Sequence, residues 1–559
     1  MGKMNSPDLS ANPFFNISSY LTRRARIQPH KRAVVYPAGR DKNGRVTYAH
    51  LTFEQLHQES DCLAHGLEKA GVTRATRTIL MVKPSLEFFA LIFAIFKTGA
   101  VPVVVDPGMG IKRMVSCFKS SRPQAFIGIP LAHVMRTIYP AFFKTVKTWI
   151  TVGRRWFWGG LSYKHIQPSP GKPYPSKITR RDDMAAILFT TGSTGPAKGA
   201  VYTHGNFDAQ LQQIKTHLNM SPNEIDLSTF PLFALFYPAL GVTAVIPDMD
   251  PTRPARVNPE RIIEAVNNLG ATNMFASPAL LNRVGRYGKQ KNIKLPSLRR
   301  VISAGAPVSA DNIERFSALL SDTAEIHTPY GATEAVPIIS IKSHEILSET
   351  RQLSEQGYGI CIGRPINKID IRIIKISDDP ITSWSEDLVN PQGEVGEIAV
   401  KGDLVSRQYF ENPSADALAK IPDGAEIWHR MGDLGWWDQK GRIWFCGRKS
   451  HRVITENGIL FTIPCEAILN IHPRVFRSAL VGVGPPPTQR PVICIELDPG
   501  DRSINQERLT VELLDLAKSH AITRTIETVL YHKSFPVDIR HNSKIFREKL
   551  AIWAEKQLR

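Results

Sequence analysis

The chain has 559 residues, of which 42% are hydrophobic and 22% charged, with a net charge of +19 and six cysteines. That length exceeds what one hydrophobic core holds, and the balance excludes disordered and fibrous classes, so a folded protein of two or more domains is expected. The cysteines (Cys62, Cys117, Cys361, Cys446, Cys465, Cys494) contain no CxxC pair, which removes support for a zinc site or a disulfide framework.

Residues 1–20 lack the basic start and continuous apolar run of an export signal, and a cytoplasmic location is expected. Residues 78–82 read as a buried strand, 86–98 as a helix closed by Gly99, and 101–106 as a returning strand, which together form a βαβ unit. The apolar run 88–96 inside that helix stops at Lys97, about half the roughly 20 residues of a membrane span. Between Ile111 and Arg181 there are fourteen Lys or Arg and no Asp or Glu, interleaved with Tyr139, Phe142, Phe143, Trp149, Trp156, Phe157 and Trp158. Two readings stay open for segment 111–181. It is a solvated basic face over an aromatic core, or it contacts an anionic membrane surface or a partner protein, peripherally in either case. No nucleic-acid-binding module accompanies the charge, so no nucleic-acid partner is expected.

An apolar strand, 187–189, then empties into Thr190-Thr191-Gly192-Ser193-Thr194-Gly195-Pro196-Ala197-Lys198. Glycines let backbone N–H groups approach an anion, hydroxyls add donors, and Lys198 adds a mobile positive charge. That chemistry suits a polyphosphate, although Lys198 is followed by Gly199 and the loop is not a Walker A sequence. A surface Gly/Ser turn is the plainer alternative. Further on, 262–276 reads as a helix feeding a strand, and the short strand 301–303 runs into Ala304-Gly305-Ala306-Pro307. Ligands bind at the carboxyl ends of such strands in open α/β sheets. Beyond Gly447 the texture changes: strands at 478–483 and 492–497, an amphipathic helix at 507–520 and a last strand at 528–532 describe a compact α/β unit.

Four further segments join the hydroxyl loop. They are His327-Thr328-Pro329-Tyr330-Gly331-Ala332-Thr333-Glu334, Trp428-His429-Arg430-Met431-Gly432-Asp433, Gly441 through Arg448, and Phe535-Pro536 leading to Lys544. In this order and spacing the set resembles the adenylate-forming superfamily of acyl-CoA synthetases, luciferases and peptide-synthetase adenylation domains, over residues 53–550. The resemblance implies an α/β fold. A large N-terminal domain of doubly wound sheets (1–448) would bind ATP and the acyl group, and a small mobile C-terminal α/β lid (449–559) would carry the catalytic lysine. It implies that Thr190, Thr191, Gly192, Ser193, Thr194, Gly195 and Lys198 cradle the β- and γ-phosphates of ATP. Gly305, Ala306 and Pro307 would wall the adenine pocket, with Tyr330, Gly331 and Ala332 against the base. Thr333 would bond the α-phosphate, Glu334 would hold Mg²⁺, and Asp433 with Arg448 would take the ribose. Lys544 would bridge the incoming carboxylate and the α-phosphate, where anion meets anion and a cation lowers the barrier. Taken singly, Asp433 and Arg448 also read as a surface ion pair and Lys544 as a solvated lysine.

Several positions depart from the superfamily pattern. Ala234 stands where a histidine commonly follows Pro231-Leu232-Phe233, Ser450 replaces the hinge Asp or Lys, and Ser543 replaces a glycine. Thr455-Glu456-Asn457-Gly458 carries two extra residues before Pro464, where the thioester-forming members are slim. These changes leave adenylation intact and put transfer to CoA in doubt. The segments 231–241, 246–255, 105–110 and 537–544 are similar to those of olefin β-lactone synthetases, which implies a long-chain 2-alkyl-3-hydroxy acid as substrate. The alternative on the same scaffold is a long-chain acyl-CoA or acyl-carrier-protein ligase. No GxSxG, HExxH or GxGxxG motif offers a hydrolase, zinc protease or dehydrogenase site.

Overall fold

The computed structural model describes residues 13–167, 172–190, 197–230, 234–497, 505–537 and 545–559. A seven-stranded sheet grows from the expected βαβ unit. Its order is Leu161–Ser162, Thr148–Thr151, Ala125–Gly128, Arg77–Met81, Val101–Val104, Met184–Thr190, Lys198–Thr203. All neighbours are parallel except the last pair, in which Thr190 is the register partner of Lys198. Helix Leu86–Lys97 is apolar on every side because it is buried on every side, packed against helix Phe53–Lys69. Lys97 is buried with it: its Nζ donates to Asp61 Oδ1 at 2.6 Å and Ser60 Oγ at 2.7 Å. Burial pulls that ammonium down to about 8, against the attraction of Asp61.

A 14-stranded sheet forms the rest of the body. Its parallel part runs Arg32–Arg40, Thr243–Val245, Ile225–Ser228, Asn273–Phe275, Arg300–Ile302, Glu325–Ala332. Strand Ala335–Lys342 then turns straight back, and the sheet continues antiparallel through Ile360–Pro365, Ile443–Arg448, Glu426–Trp437, Gly396–Lys401 and Asp370–Ile374. The expected α/β architecture of large sheets with a small C-terminal sheet is present, and the large sheet carries an antiparallel half beside its parallel one. After Ala332 the sheet is antiparallel, and two of its pairs are tight reversals: Ala335–Lys342 turns back over two residues, and Ile443–Arg448 returns along Glu426–Trp437 over five.

The C-terminal sheet has three strands, Val475–Val483, Arg490–Leu497 and Thr528–Tyr531, with helices Thr462–Asn470, Gln506–Lys518 and Arg547–Leu558. Glu466 is buried there because Arg547 clasps both its oxygens at 2.8 and 2.6 Å while the Leu480 N–H donates to it at 2.8 Å. Helix Thr462–Asn470 also packs against Ser354–Tyr358 and strand Ile443–Arg448, so this unit rests on the antiparallel part of the large sheet. All six cysteines are buried free thiols. Among the described residues no helix is long and apolar enough to cross a membrane.

Candidate active site

Strands Glu325–Ala332 and Ala335–Lys342 leave only Thr333 and Glu334 between them, so these two side chains occupy a tight hairpin turn. The turn closes only because Gly331 has no side chain: a Cβ there would lie 2.5 Å from the Ala335 carbonyl oxygen. Tyr202, on strand Lys198–Thr203, donates from its hydroxyl to the Thr333 carbonyl at 2.5 Å. The Ser406 N–H donates to the Glu334 carbonyl at 2.8 Å. The turn is thus held by both large sheets.

The Glu334 carboxylate is buried, and its Oε1 accepts from the Tyr409 hydroxyl at 2.7 Å. Two ammonium groups flank the Tyr409 ring, Lys198 Nζ at 5.1 Å and Lys420 Nζ at 5.2 Å from its centroid. Such cation–ring contacts gain strength when water is excluded. Lys420 is buried, donates to the Ser406 carbonyl, and is pulled by burial down to about 8, opposed by Glu334 and Asp416. Burial, then the Glu334 charge, pushes the Tyr409 phenol above its ordinary value. Tyr409 and Lys420 were not among the sequence expectations. The signal for Lys420 was a single cation inside the apolar run Ala417-Leu418-Ala419-Lys420-Ile421.

Asp433 and Arg448 are register partners on adjacent strands, with Arg448 Nη1 3.1 Å from Asp433 Oδ1. This is not the surface pair of the plainer reading, because Asp433 is buried. Its Oδ2 accepts from the Tyr330 hydroxyl at 2.5 Å. The Asp433 charge holds the Arg448 guanidinium above its usual range against the cost of burial. Burial, then Asp433, raises the Tyr330 phenol. Tyr330, Asp433 and Arg448 therefore form one charged, hydrogen-bonded unit. Each carboxylate oxygen has a further lone pair with which to accept from a sugar hydroxyl.

Gly305, Ala306 and Pro307 follow strand Arg300–Ile302, the parallel neighbour of Glu325–Ala332, and Gly305 has a φ of +95° that favours glycine. The structure thus brings Lys198, Tyr330, Gly331, Ala332, Thr333, Glu334, Asp433 and Arg448 into one region, with 305–307 at the end of the next strand. Thr191, Gly192, Ser193, Thr194, Gly195 and Lys544 lie outside the described residues, as do Pro231, Leu232 and Phe233. Thr190 is described in its backbone only, as the residue opposite Lys198. Antiparallel pairing of Val537 with Ile545 brackets the segment that contains Lys544.

The donor set suits a hard cation that arrives with phosphate. Glu334 offers buried carboxylate oxygen, while the described residues contain no group of three or more His, Cys, Asp or Glu able to enclose a metal by themselves. Mg²⁺ characteristically takes one or two carboxylates and completes its shell with water and phosphate oxygens.

Comparison with known proteins decides the family. Residues 21–410 match the model described as "AMP-binding enzyme". This chain belongs to the AMP-binding enzyme family. Like other AMP-binding enzymes it is an adenylate-forming ligase, and the family uses ATP with Mg²⁺. It is 45% identical over 549 residues to an olefin beta-lactone synthetase from Xanthomonas campestris pv. campestris, covering 97% of this chain and 98% of that one. It is also 45% identical over 555 residues to an olefin beta-lactone synthetase from Stenotrophomonas maltophilia, covering 97% and 98%. Among solved AMP-binding structures, o-succinylbenzoate coenzyme A synthetase from Bacillus subtilis, in complex with ATP and magnesium ion, superposes with a TM-score of 0.73. It is 20% identical, with 95% of this chain and 98% of that chain covered, which speaks to the shared fold.

Proposed function

We propose that this enzyme converts a long-chain 2-alkyl-3-hydroxy acid into a β-lactone by way of an acyl-adenylate, with no thiol acceptor. The observation that carries this reading is the 45% identity, along nearly the whole of both chains, to olefin beta-lactone synthetases. In the first step a carboxylate oxygen attacks the α-phosphorus of ATP and the bond to pyrophosphate breaks. Lys198 and the loop from Thr190 to Gly195 hold the β- and γ-phosphates, with Gly305, Ala306, Pro307, Gly331 and Ala332 lining the base and Tyr330 stacked on it. Asp433, backed by Arg448, accepts from the ribose hydroxyls, and Thr333 bonds the α-phosphate. Glu334 holds Mg²⁺, which when bound neutralises phosphate charge. Lys544, carried by a closing domain of residues 449–559, meets the charge that develops between carboxylate and phosphate. In the second step the oxygen of the substrate's own 3-hydroxyl attacks the acyl carbon. The bond to AMP breaks, and the hydroxyl proton leaves to the phosphate or to water. Intramolecular attack reaches effective molarities of roughly 10⁵–10⁸ M when geometry is right, which offsets part of the ring strain.

One feature marks where an alkyl chain would have to open space, and a second supports the acceptor assignment. A narrow apolar cavity of about 30 Å³, lined by Ile214, Leu218, Tyr237, Phe275, Ile302 and Pro329, begins one residue before Tyr330. An alkyl chain entering there must displace side chains, because that volume holds about one water. The residues between Arg448 and Pro464 form a hairpin, Val453–Thr455 with Gly458–Leu460, that presents Glu456 and Asn457 at an exposed tip. A carboxylate at that tip repels the phosphates of CoA. The test is product analysis after incubation with ATP, Mg²⁺ and a long-chain 2-alkyl-3-hydroxy acid, with and without CoA. AMP and a β-lactone are expected in both, while a plain fatty acid stalls as adenylate or hydrolyses slowly. Acyl-CoA formation from the plain acid, with no lactone from the hydroxy acid, would establish the ligase instead.

A further inference from the structure

The connections between the strands of the basic, carboxylate-free segment form one layer of the fold. Helix Ile111–Ser120 links Val101–Val104 to Ala125–Gly128, and helix Pro130–Ile138 with the turn Pro140–Phe143 links Ala125–Gly128 to Thr148–Thr151. Both connections step across the sheet in the same direction, so right-handed crossovers place them on the same face. Their inner sides share one core through Met114, Phe118, Met135 and Phe143. Their outer sides hold side chains that a solvated face does not need. Leu131 and Ile138, 69% and 62% exposed, lie seven residues apart on one stripe of their helix. In the loop after Thr148–Thr151, Trp156 and Phe157 are 51% and 81% exposed and follow directly on exposed Arg154 and Arg155.

That loop is built to hold its tip outward. Trp158 is buried and stacks on His133 with ring centroids 5.4 Å apart, and Arg136 donates to the Gly159 carbonyl at 2.9 Å. The Arg136 guanidinium also lies 4.5 Å from the Trp149 ring centroid, and Arg155 donates to the Gly160 carbonyl. Trp156 and Phe157 rest on the buried Trp158 ring, centroids 5.2 and 5.1 Å away, with their outer faces in solvent. The connecting elements carry exposed Lys112, Arg113, Lys119 and Lys144, and the loop itself carries exposed Arg154. Of the basic residues in these elements, Arg122 has a carboxylate partner in Glu411 at 3.2 Å.

We propose that this layer docks on a bilayer bearing anionic headgroups, with Trp156 and Phe157 entering the interface and the layer's Lys and Arg pairing with lipid phosphates. An acidic protein surface would satisfy the charge and leave the aromatic tip wet. A bilayer takes both, since aromatic rings favour the headgroup level and basic side chains are drawn to anionic leaflets. The inference is independent of which acid the enzyme activates.

The test is co-sedimentation of the full-length protein with sucrose-loaded vesicles of phosphatidylcholine alone or mixed with phosphatidylglycerol. Binding is expected only to the mixed vesicles. It is expected to be lost between 0.1 M and 1 M salt, as the screening length falls from about 10 Å to about 3 Å. Arg154→Glu with Arg155→Glu, and separately Trp156→Ser with Phe157→Ser, should each weaken it about tenfold or more, given that each basic residue near the surface contributes several-fold. ATP–pyrophosphate exchange with a detergent-dispersed acid should be unchanged in both variants, which shows that they fold. Equal sedimentation with both vesicle types, or with neither, would overturn the proposal. So would binding that the aromatic variant leaves intact, because charge alone would then account for it.

Discussion

Tyr409 fixes one oxygen of Glu334 from a site 75 residues away in the chain, between the ammonium groups of Lys198 and Lys420. Its hydroxyl is what orients the proposed Mg²⁺ ligand. Tyr409→Phe keeps the ring and removes that bond, so pyrophosphate release should fall about 10–100-fold, the usual effect of losing a partner of a metal ligand. The Mg²⁺ concentration giving half-maximal rate should rise with it, whereas a merely structural tyrosine would leave the Mg²⁺ dependence untouched. Glu334 was legible in the sequence because its motif is contiguous. Tyr409 was not, because nothing in Gln408-Tyr409-Phe410 distinguishes a ring that faces a carboxylate from one that faces the core.

At the scale of an element, the hairpin joining Glu325–Ala332 to Ala335–Lys342 carries four expected site residues, Gly331 to Glu334, in a single reversal. Gly331→Ala would put a methyl group 2.5 Å from the Ala335 oxygen and 2.9 Å from Val336 Cα, so the backbone itself must move. Overpacking of this kind costs about 1–3 kcal/mol. The free energy of unfolding in urea should fall by that amount, lowering the midpoint at unchanged slope, and KM for ATP should rise as Tyr330 and Glu334 lose register. An unchanged midpoint and KM would show that the turn relaxes freely. The local elements around this hairpin were legible: helices and strands near 77–106, 259–276 and 475–531 sit within a few residues of their expected places. The antiparallel partners were not, because strand pairing is a long-range choice that periodicity does not encode.

For the whole molecule, acid stability depends on imidazoles held neutral by burial, among them those of His133, His204 and His327, each lowered to about 4 from 6.5, and His429, lowered further still. His204 Nδ1 accepts from the Ile17 N–H at 3.2 Å, a bond only the neutral ring can make. Between pH 6.5 and 4 the unfolded chain binds protons that the folded chain refuses. This stability is therefore full above 6.5 and is lost as the pH falls towards 4. Asp226, raised to about 7 by burial, works in the opposite direction over the same window. Thermal midpoints should still climb from pH 4.5 to 7, and His204→Asn should flatten that climb; an unaltered slope would remove His204 from the account. The sequence by itself determined the family, the α/β class, the nucleotide motifs and the concentration of charge in 111–181, because each is written in contiguous residues whose chemistry is local. Only the tertiary structure decided that Asp433, Arg448 and Tyr330 form a buried unit rather than a surface pair, and that Lys97 and Lys420 are core lysines. It alone also showed that Phe157 points outward while Trp158 points in. Burial and partnership are set by which strands meet, and that meeting depends on side chains distant in the chain.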